Sequence, residues 1–411
     1  MLSTVLGKIE TIFSKYMLLS SVYPVLIATF LNLVLLFHNS LSFRRWLKDL
    51  KPEANMESVF NLTAVAVGVA VAAFVLSTIS QLLRELVEGK HWPDWLGNLA
   101  IPLQHRRKNA LSTKIAQKKK ERRQFRTLPE KLSDQLTEAR QVGKRDHPTT
   151  CNYPASLASL EPLRVLREKG AAIGAKDLED VAAELMAVLR ENFADLPNGF
   201  ANADHARRLD ADVTDLEELA KYARRHVSME LIELHEHRDL VFGEQSVAPT
   251  AAGNMVNAVS SYAWRRYRFS MDLFWTRLQQ VLQSDPYYAT IQSAKAELDS
   301  LIALFWLIAA TTVGWWIALA CGTASFWSFV AVSLGGPALC AMLYSLILTS
   351  YRGFNDLLRS AVDLYRFKLL TALHLPLPEG PVEERKIWED LSTRTAYGEE
   401  TSVRYSHGAV V

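Results

Sequence analysis

Ser300 to Tyr351 reads SLIALFWLIAATTVGWWIALACGTASFWSFVAVSLGGPALCAMLYSLILTSY, without one charged side chain. A bilayer core of roughly 30 Å takes about 20 apolar residues as a helix. The stretch is too long for one crossing and divides at Cys321-Gly322-Thr323-Ala324-Ser325, giving a hairpin of helices over 301–320 and 326–350. A soluble core has no use for an uncharged run of this length, so a buried soluble hairpin is the weaker reading. Pro337 and the pair Gly335-Gly336 fall mid-span, where they kink a helix or admit a close neighbour. Trp306, Trp315, Trp316, Trp327 and Tyr344 belong to the hairpin, and those near its turn suit an aromatic belt.

Outward from this block, two more stretches qualify as spans, 16–37 and 58–83, neither carrying a charged residue. The first is too long for the apolar core of a signal peptide, and Arg44, Arg45 and Trp46 follow it where a small-residue cleavage site would stand. The chain has 411 residues, 49% hydrophobic and 22% charged, with a net charge of +2. That apolar content is concentrated in these blocks, which excludes a plain soluble protein. With 18 Gly, 15 Pro and 3 Cys, collagen-like, low-complexity and disulfide-scaffold classes are excluded too. The expected fold is an all-α integral membrane protein. A cytosolic N-terminus (1–15) leads to a first transmembrane pair (16–83) and a cytosolic helical domain (84–299). A second transmembrane pair (300–351) and cytosolic C-terminal helices with a tail (352–411) complete it.

Orientation follows from Lys and Arg near the spans. The strongest cluster comes after the second span: Arg106, Arg107, Lys108, Lys114, Lys118, Lys119, Lys120, Arg122, Arg123 and Arg126, against one acid, Glu121. Arg352, Arg359, Arg366 and Lys368 follow the fourth. Both flanks read as cytosolic, the turn near Cys321 as outside, and both termini as cytosolic. The loop 38–57, with Arg44, Arg45, Lys48 and Lys51, disagrees, because parity puts it outside; a first segment that does not fully cross would relieve the conflict.

The middle of the chain reads as helix and loop. Asp177 caps a helix bearing Leu178, Val181, Ala182, Leu185, Val188 and Leu189 on one face. Thr214 and Glu217 make a capping box. The helix behind them carries Leu216, Leu219, Ala220, Ala223, Val227, Leu231 and Leu234 at helical spacing and ends near Gly243. Breaks are expected at His147–Pro154 and Leu196–Gly199. After the fourth span, an amphipathic helix is expected from Asp356 to Leu373, stopped by Pro376 and Pro378, then a short acidic helix from Val382 to Leu391.

Few residues carry chemistry. The basic run, with Arg106, Arg107, Lys108, Lys118, Lys119, Lys120, Arg122 and Arg123, suits attraction to anionic lipid headgroups, at roughly 1 kcal/mol for each cation near the surface. The alternative is a solvated helix that only fixes topology. Nucleic acid would need the same charges, but no recognition motif accompanies them. His226, His235 and His237 are not spaced to chelate together on a helix, so no metal is expected. Cys151, Cys321 and Cys340 lack metal or disulfide spacing. Walker, nucleophile-elbow, His-Glu-x-x-His and Rossmann patterns are missing, so neither cofactor nor catalytic residues are expected. Asn32, with Ser20 and Ser21, is the main polar group in span one, and the absence of charge inside any span weighs against a proton relay.

The stretch before the third span is the most distinctive. Pro249, Thr250, Gly253 and Asn254 form a turn that hands over to a helix, with Gly253 placed for an unusual backbone angle or a close contact. Arg266, Tyr267, Trp275, Arg277 and Leu278 follow. Aromatics mixed with Arg suit a membrane interface, an oligomer contact or a plain buried helix. This pattern resembles a family of uncharacterised bacterial four-span membrane proteins that carry a Pro-Thr-x-x-Gly-Asn turn, an Arg-Tyr and a Trp-x-Arg-Leu before a hydrophobic hairpin. Asp363-Leu364-Tyr365-Arg366 with Leu369-Leu370, Pro376, Glu383-Glu384-Arg385 and Trp388 is similar to that family's C-terminal signature. Glu88-Gly89 with Trp92-Pro93 is similar to a third element. Ala251, Ala252 and Arg268 depart from the pattern. The resemblance covers about half the chain, in patches, and implies a bacterial inner-membrane protein with no activity attached.

These readings favour a non-catalytic scaffold, sensor or partner-regulated effector, with a homo-oligomer or another protein as partner. The alternative is an oligomeric channel, by analogy with the span-pair arrangement of bestrophin-like channels, lined by Asn32, Asn61, Thr63, Thr311 and Thr312. A membrane enzyme acting on lipid is the third reading, and it lacks a nucleophile–base or metal set near a span end.

Overall fold

The computed structural model describes residues 15–40, 42–45, 56–142, 180, 203–243, 247–322 and 326–398, and among these it is all-helical, without a strand. The long helices are α1 (Lys15–Asn39), α2 (Met56–Glu88), α3 (Asp94–Val142), α4 (Ala203–Val241) and α5 (Ala251–Tyr267). They continue as α6 (Met271–Leu282), α7 (Pro286–Cys321), α8 (Phe326–Ala372) and α9 (Pro381–Tyr397). Four of them, α1, the stretch Ala66–Glu88 of α2, α7 and α8, are long and apolar enough to cross a membrane. The chain divides into two compact units, Met1–Arg106 with Asp239–Val411, and Arg107–Arg238. The helical middle expected as one domain over 84–299 is therefore divided between them.

The local sequence accounts for most helix limits. Pro24 has no N–H to offer Ser20, and the turn before it widens: the Tyr23 N–H bonds Leu18 O five residues back, making Leu18–Val22 a π-helical turn. Asp285 caps α7, accepting from Tyr287 N at 3.0 Å, with Pro286 at the first helical position. Arg268 ends α5 in the left-handed region (φ 62°), where its N–H bonds Trp264 O and the Phe269 N–H bonds Ala263 O.

Three expectations change. The fourth span and the helix expected from Asp356 are one continuous helix, α8, because only Gly353 interrupts the helix formers there and a lone Gly weakens a helix without ending it. Thr214 lies well inside α4 rather than at its first turn; the described helix runs Ala203–Val241 and stops before Gly243, near the expected end. The acidic helix runs on to Tyr397. The helix expected after Asp177, the breaks at 147–154 and 196–199, and Cys151 lie outside the described residues, apart from Asp180, which is helical.

In the span-bearing unit, α1, α2 and α7 meet through Leu18, Val22, Val25, Ala73, Leu76 and Ala303. The α7–α8 hairpin is tight at one point: a Cβ on Gly336 would lie 2.4 Å from the Thr312 side chain, whereas Gly335 has nothing within 4 Å. One glycine of the pair therefore makes the close crossing. The helix continues through Pro337. Phe30, Phe74, Ile317, Phe326, Trp327 and Leu334 point outward, a surface that suits acyl chains rather than water. Trp327 stands exposed beside the turn, as an aromatic belt requires. Trp306 and Trp315 instead turn inward, donating to Leu83 O (3.1 Å) and to Asn32 Oδ1 (2.9 Å).

Candidate functional site

The Pro-Thr-x-x-Gly-Asn turn is a helix start clamped onto the end of α2. Thr250 is the N-cap of α5, and its Oγ1 accepts from Gly253 N at 3.0 Å. Asn254 closes the turn from inside: its Oδ1 accepts from Ala248 N (2.8 Å), and its Nδ2 donates to Ala248 O (3.1 Å) and Thr250 O (2.9 Å). Asn254 is buried, so these bonds satisfy a group that would otherwise be orphaned. Gly253 has ordinary helical φ; what it provides is space, since a Cβ there would lie 2.1 Å from Glu88 O. Gly89 supplies the other half of the contact. It holds φ +80°, and a Cβ on it would come within 3.0 Å of Thr250 Cγ2 and 3.3 Å of Pro249 Cβ. Asn355 of α8 ties in by donating to Met255 O at 2.9 Å.

Charged groups gather at this level. Arg84 of α2 pairs with Asp299 of α7. Tyr351 of α8, fully buried, donates to Glu88 Oε1 at 3.0 Å, and Lys90 Nζ lies 2.7 Å from Glu88 Oε2. These groups line a cavity of about 460 Å3 whose wall also includes Lys295, Trp275 and Asp272. Its buried carboxylates have cationic or hydroxyl partners, which is what lets charge persist away from water. The arrangement holds helices α2, α5, α7 and α8 in register and leaves a polar chamber beside them.

A second junction joins α5, α8 and α9. Tyr262 OH donates to Asp363 Oδ2 (2.8 Å) and accepts from Arg266 Nη1 (3.0 Å). The Arg366 guanidinium lies 4.1 Å from the Tyr267 ring centroid and pairs with Glu384 at 2.5 Å. Burial first, and a hydrogen bond to Asp363 second, push the Tyr267 phenol well above its ordinary range, so it stays neutral. Trp388 is wedged between Phe269 and Phe274, with ring centroids 4.8 and 5.5 Å away. Trp275 is half-buried against this core, and Arg277 is exposed, donating to Leu273 O at 2.6 Å. Two packed junctions result: Glu88-Gly89 with Pro249–Asn254, and Arg266-Tyr267 with Asp363–Arg366 and Trp388.

The basic run lies on α3. Arg106, in the span-bearing unit, is exposed; Arg107, Lys120 and Lys114 are exposed in the other, and Lys108 is half-buried. Lys118 has a structural task, pairing with Glu121 (3.1 Å) on its own helix and Glu230 (2.7 Å) on α4. The hydrogen bond to Glu230, supported by Glu121 and opposed by burial, holds its ammonium above the ordinary value. Ile115 and Phe125 of α3 are buried in this unit, as are Ala220, Ala223, Val227 and Leu231 of α4, the last four on the stripe read from the sequence. Beside that seam is a groove of about 280 Å3, lined by Lys119, Arg122, Arg123, Arg126, Arg224 and Leu231. Positions 119, 122, 123 and 126 share one helical face, and like charges so spaced destabilise an isolated helix by about 0.2–0.5 kcal/mol per pair.

Sequence reading missed Arg84, Asp299, Tyr351 and Arg224. The first three had a signal: Arg84 directly follows the charge-free block ending at Leu83, and Asp299 and Tyr351 bound the block that starts at Ser300. Charges that close two antiparallel spans at one membrane face are natural partners. Arg224 had none, because its position opposite Arg122 and Arg123 depends on how α4 packs. His226 lies 3.7 Å from Glu230, and the described residues hold no group of three His, Cys, Asp or Glu able to bind a metal ion. Comparison of the chain with protein-family models, with curated proteins and with solved structures finds no match.

Proposed function

We propose that this chain is a non-catalytic multi-pass membrane protein, a sensor, scaffold or partner-regulated effector whose helical arm, residues 107–238, receives the input. One observation carries the reading. The end of α2 and the middle of α8 are clamped to α5 through Glu88, Gly253, Tyr351 and Asn355, and Arg84–Asp299 ties α7 to α2, so the spans are joined to a helix beyond the apolar stretches. Such a junction suits transmission of a binding event rather than turnover. The basic stretches after α2 and in the second half of α8 support a cytosolic placement of the arm and both termini, and the family resemblance supports a bacterial inner membrane. Anionic headgroups are the partner that the exposed Arg106, Arg107 and Lys120 favour, and self-association is a second.

The channel reading places Asn32, Thr311 and Thr312 on a water-filled path. Asn32 Nδ2 instead lies 3.2 Å from Thr311 Oγ1, Asn32 Oδ1 accepts from Trp315, and Thr312 is buried against Gly336. These groups serve contacts within one chain. The test is reconstitution of the purified full chain into planar bilayers, with its oligomeric state measured in detergent. The sensor reading expects no unitary currents at either polarity; a symmetric tetramer or pentamer with unitary currents would replace it with the channel.

A further inference from the structure

The geometry points to the groove between α3 and α4 as a binding site for a compact polyphosphate group. It deepens the reading of the helical arm as an input element by naming the ligand class. The observation is an imbalance of charge among the described residues of one unit. Lys118, on the seam between the helices, has two carboxylate partners, Glu121 and Glu230. Lys119, Arg122, Arg123 and Arg224, around the corner, have no carboxylate partner among the described residues, yet they converge on one groove with Arg126. Glu230 of α4 is already engaged by Lys118. Like charges brought together from two helices repel unless an anion joins them, and Phe125 and Val227 of the same two helices are buried.

The donor chemistry selects phosphate. Guanidinium groups present planar forks that match phosphate oxygens in pairs, and Lys119 adds a compact point charge. Among the described lining residues Leu231 alone is apolar and the other five are cations, a set that favours an anion over an acyl chain or an aromatic base. At about 280 Å3 it falls at the small end of ligand sites, which run roughly 300–1,000 Å3, room for a chain of two or three phosphates. Such a group arrives either as a free soluble compound or as a clustered phosphate on a lipid headgroup.

The full chain in phosphatidylcholine nanodiscs, titrated calorimetrically with inorganic tripolyphosphate at low salt, tests this. Saturable binding of one tripolyphosphate per chain is expected. Arg224→Gln and, separately, the surface variant Lys119→Gln should each weaken it about tenfold, the size of one lost charged contact. Lys114→Gln, exposed on the same helix but off the groove, should change it less than about twofold. Repeating the titration in phosphatidic acid discs, against phosphatidylserine discs of equal charge, separates the sources. Selective competition by phosphatidic acid assigns the groove to a headgroup, and its absence to a soluble compound; both uphold phosphate recognition. Undetectable binding, or an equal loss from Lys114→Gln, overturns the proposal. Because the readout is binding alone, that result would leave the conductance test of the sensor reading unaffected.

Discussion

Gly253→Ala sets two physical effects against each other. In an isolated helix, replacing Gly by Ala stabilises, by up to about 1 kcal/mol in the interior and less near the first turn. Here the added carbon would lie 2.1 Å from Glu88 O and 2.9 Å from Ala248 Cβ. Even close C–H···O contacts keep carbon and oxygen roughly 3.3 Å apart, so the clamp must open by more than about 1 Å. The obstacle is a backbone carbonyl at the end of α2, anchored by buried Val87, and not a side-chain tip that can swing aside. Overpacking of this kind costs typically about 1–3 kcal/mol. The clash wins, and a net loss of about 1–2 kcal/mol is expected. Gly353→Ala is the matched control: it lies inside α8 with nothing within 4 Å of the added carbon, so it should gain about 0.4–1 kcal/mol. Thermal melts in detergent, with size exclusion alongside, should show the two variants moving in opposite directions. A Gly253→Ala protein that melts at or above the parent, while Gly353→Ala rises as expected, would refute the clamp.

Other consequences follow from the same contacts. Asn254→Ala should cost about 1–3 kcal/mol, because Ala248 N and Thr250 O lose a buried partner; Asn254→Asp should not rescue it, since a carboxylate cannot donate to the two carbonyls, and a full rescue would show that the donors are idle. The Tyr287 N–H, assisted by Tyr365 and Lys368, holds the Asp285 carboxyl below its ordinary value of 3.8. A depressed folded-state pKa means stability that is present above the unfolded value and lost as pH falls through the folded one. The parent's advantage over Asp285→Asn should therefore shrink below pH 3.8, and an advantage that stays constant under acid titration would contradict the cap's charge. Trp275→Ala, removing a half-buried ring, should lower the melt by about 1–2 kcal/mol without changing oligomer size. Loss of the oligomer at an unchanged melting point would assign that face to a partner.

What could be read without the structure was whatever one segment decides by itself. Ser300–Tyr351 declares two spans because no charge interrupts it, and Pro249–Asn254 declares a turn because each residue has a local reason to be there. The role of Gly253 was half legible. A glycine near a helix start signals a close approach, but the approaching atom, Glu88 O, comes from far away in the chain. Long-range pairings were out of reach: Lys118 looked like its basic neighbours, and only the position of Glu230 sets it apart. The length of α8 was misjudged for another reason. The change from apolar to amphipathic at Tyr351 is a change of solvent along one helix, not a break in it, and sequence periodicity marks both alike. Asn32 and Thr311, read from the sequence as pore-lining groups, contact each other, since polar side chains in a span are as readily used to join helices as to line water.

The placement of the helical arm, its basic groove and both chain ends on one side of the membrane is the claim on which the rest of the account depends. Labelling with an impermeant thiol reagent tests it, with single cysteines introduced into an otherwise cysteine-free chain in intact cells. Thr323→Cys, in the turn of the second hairpin, should react from outside. Phe200→Cys and Thr395→Cys should react only after the membrane is permeabilised. Labelling at position 200 in intact cells would place the arm outside and contradict the account.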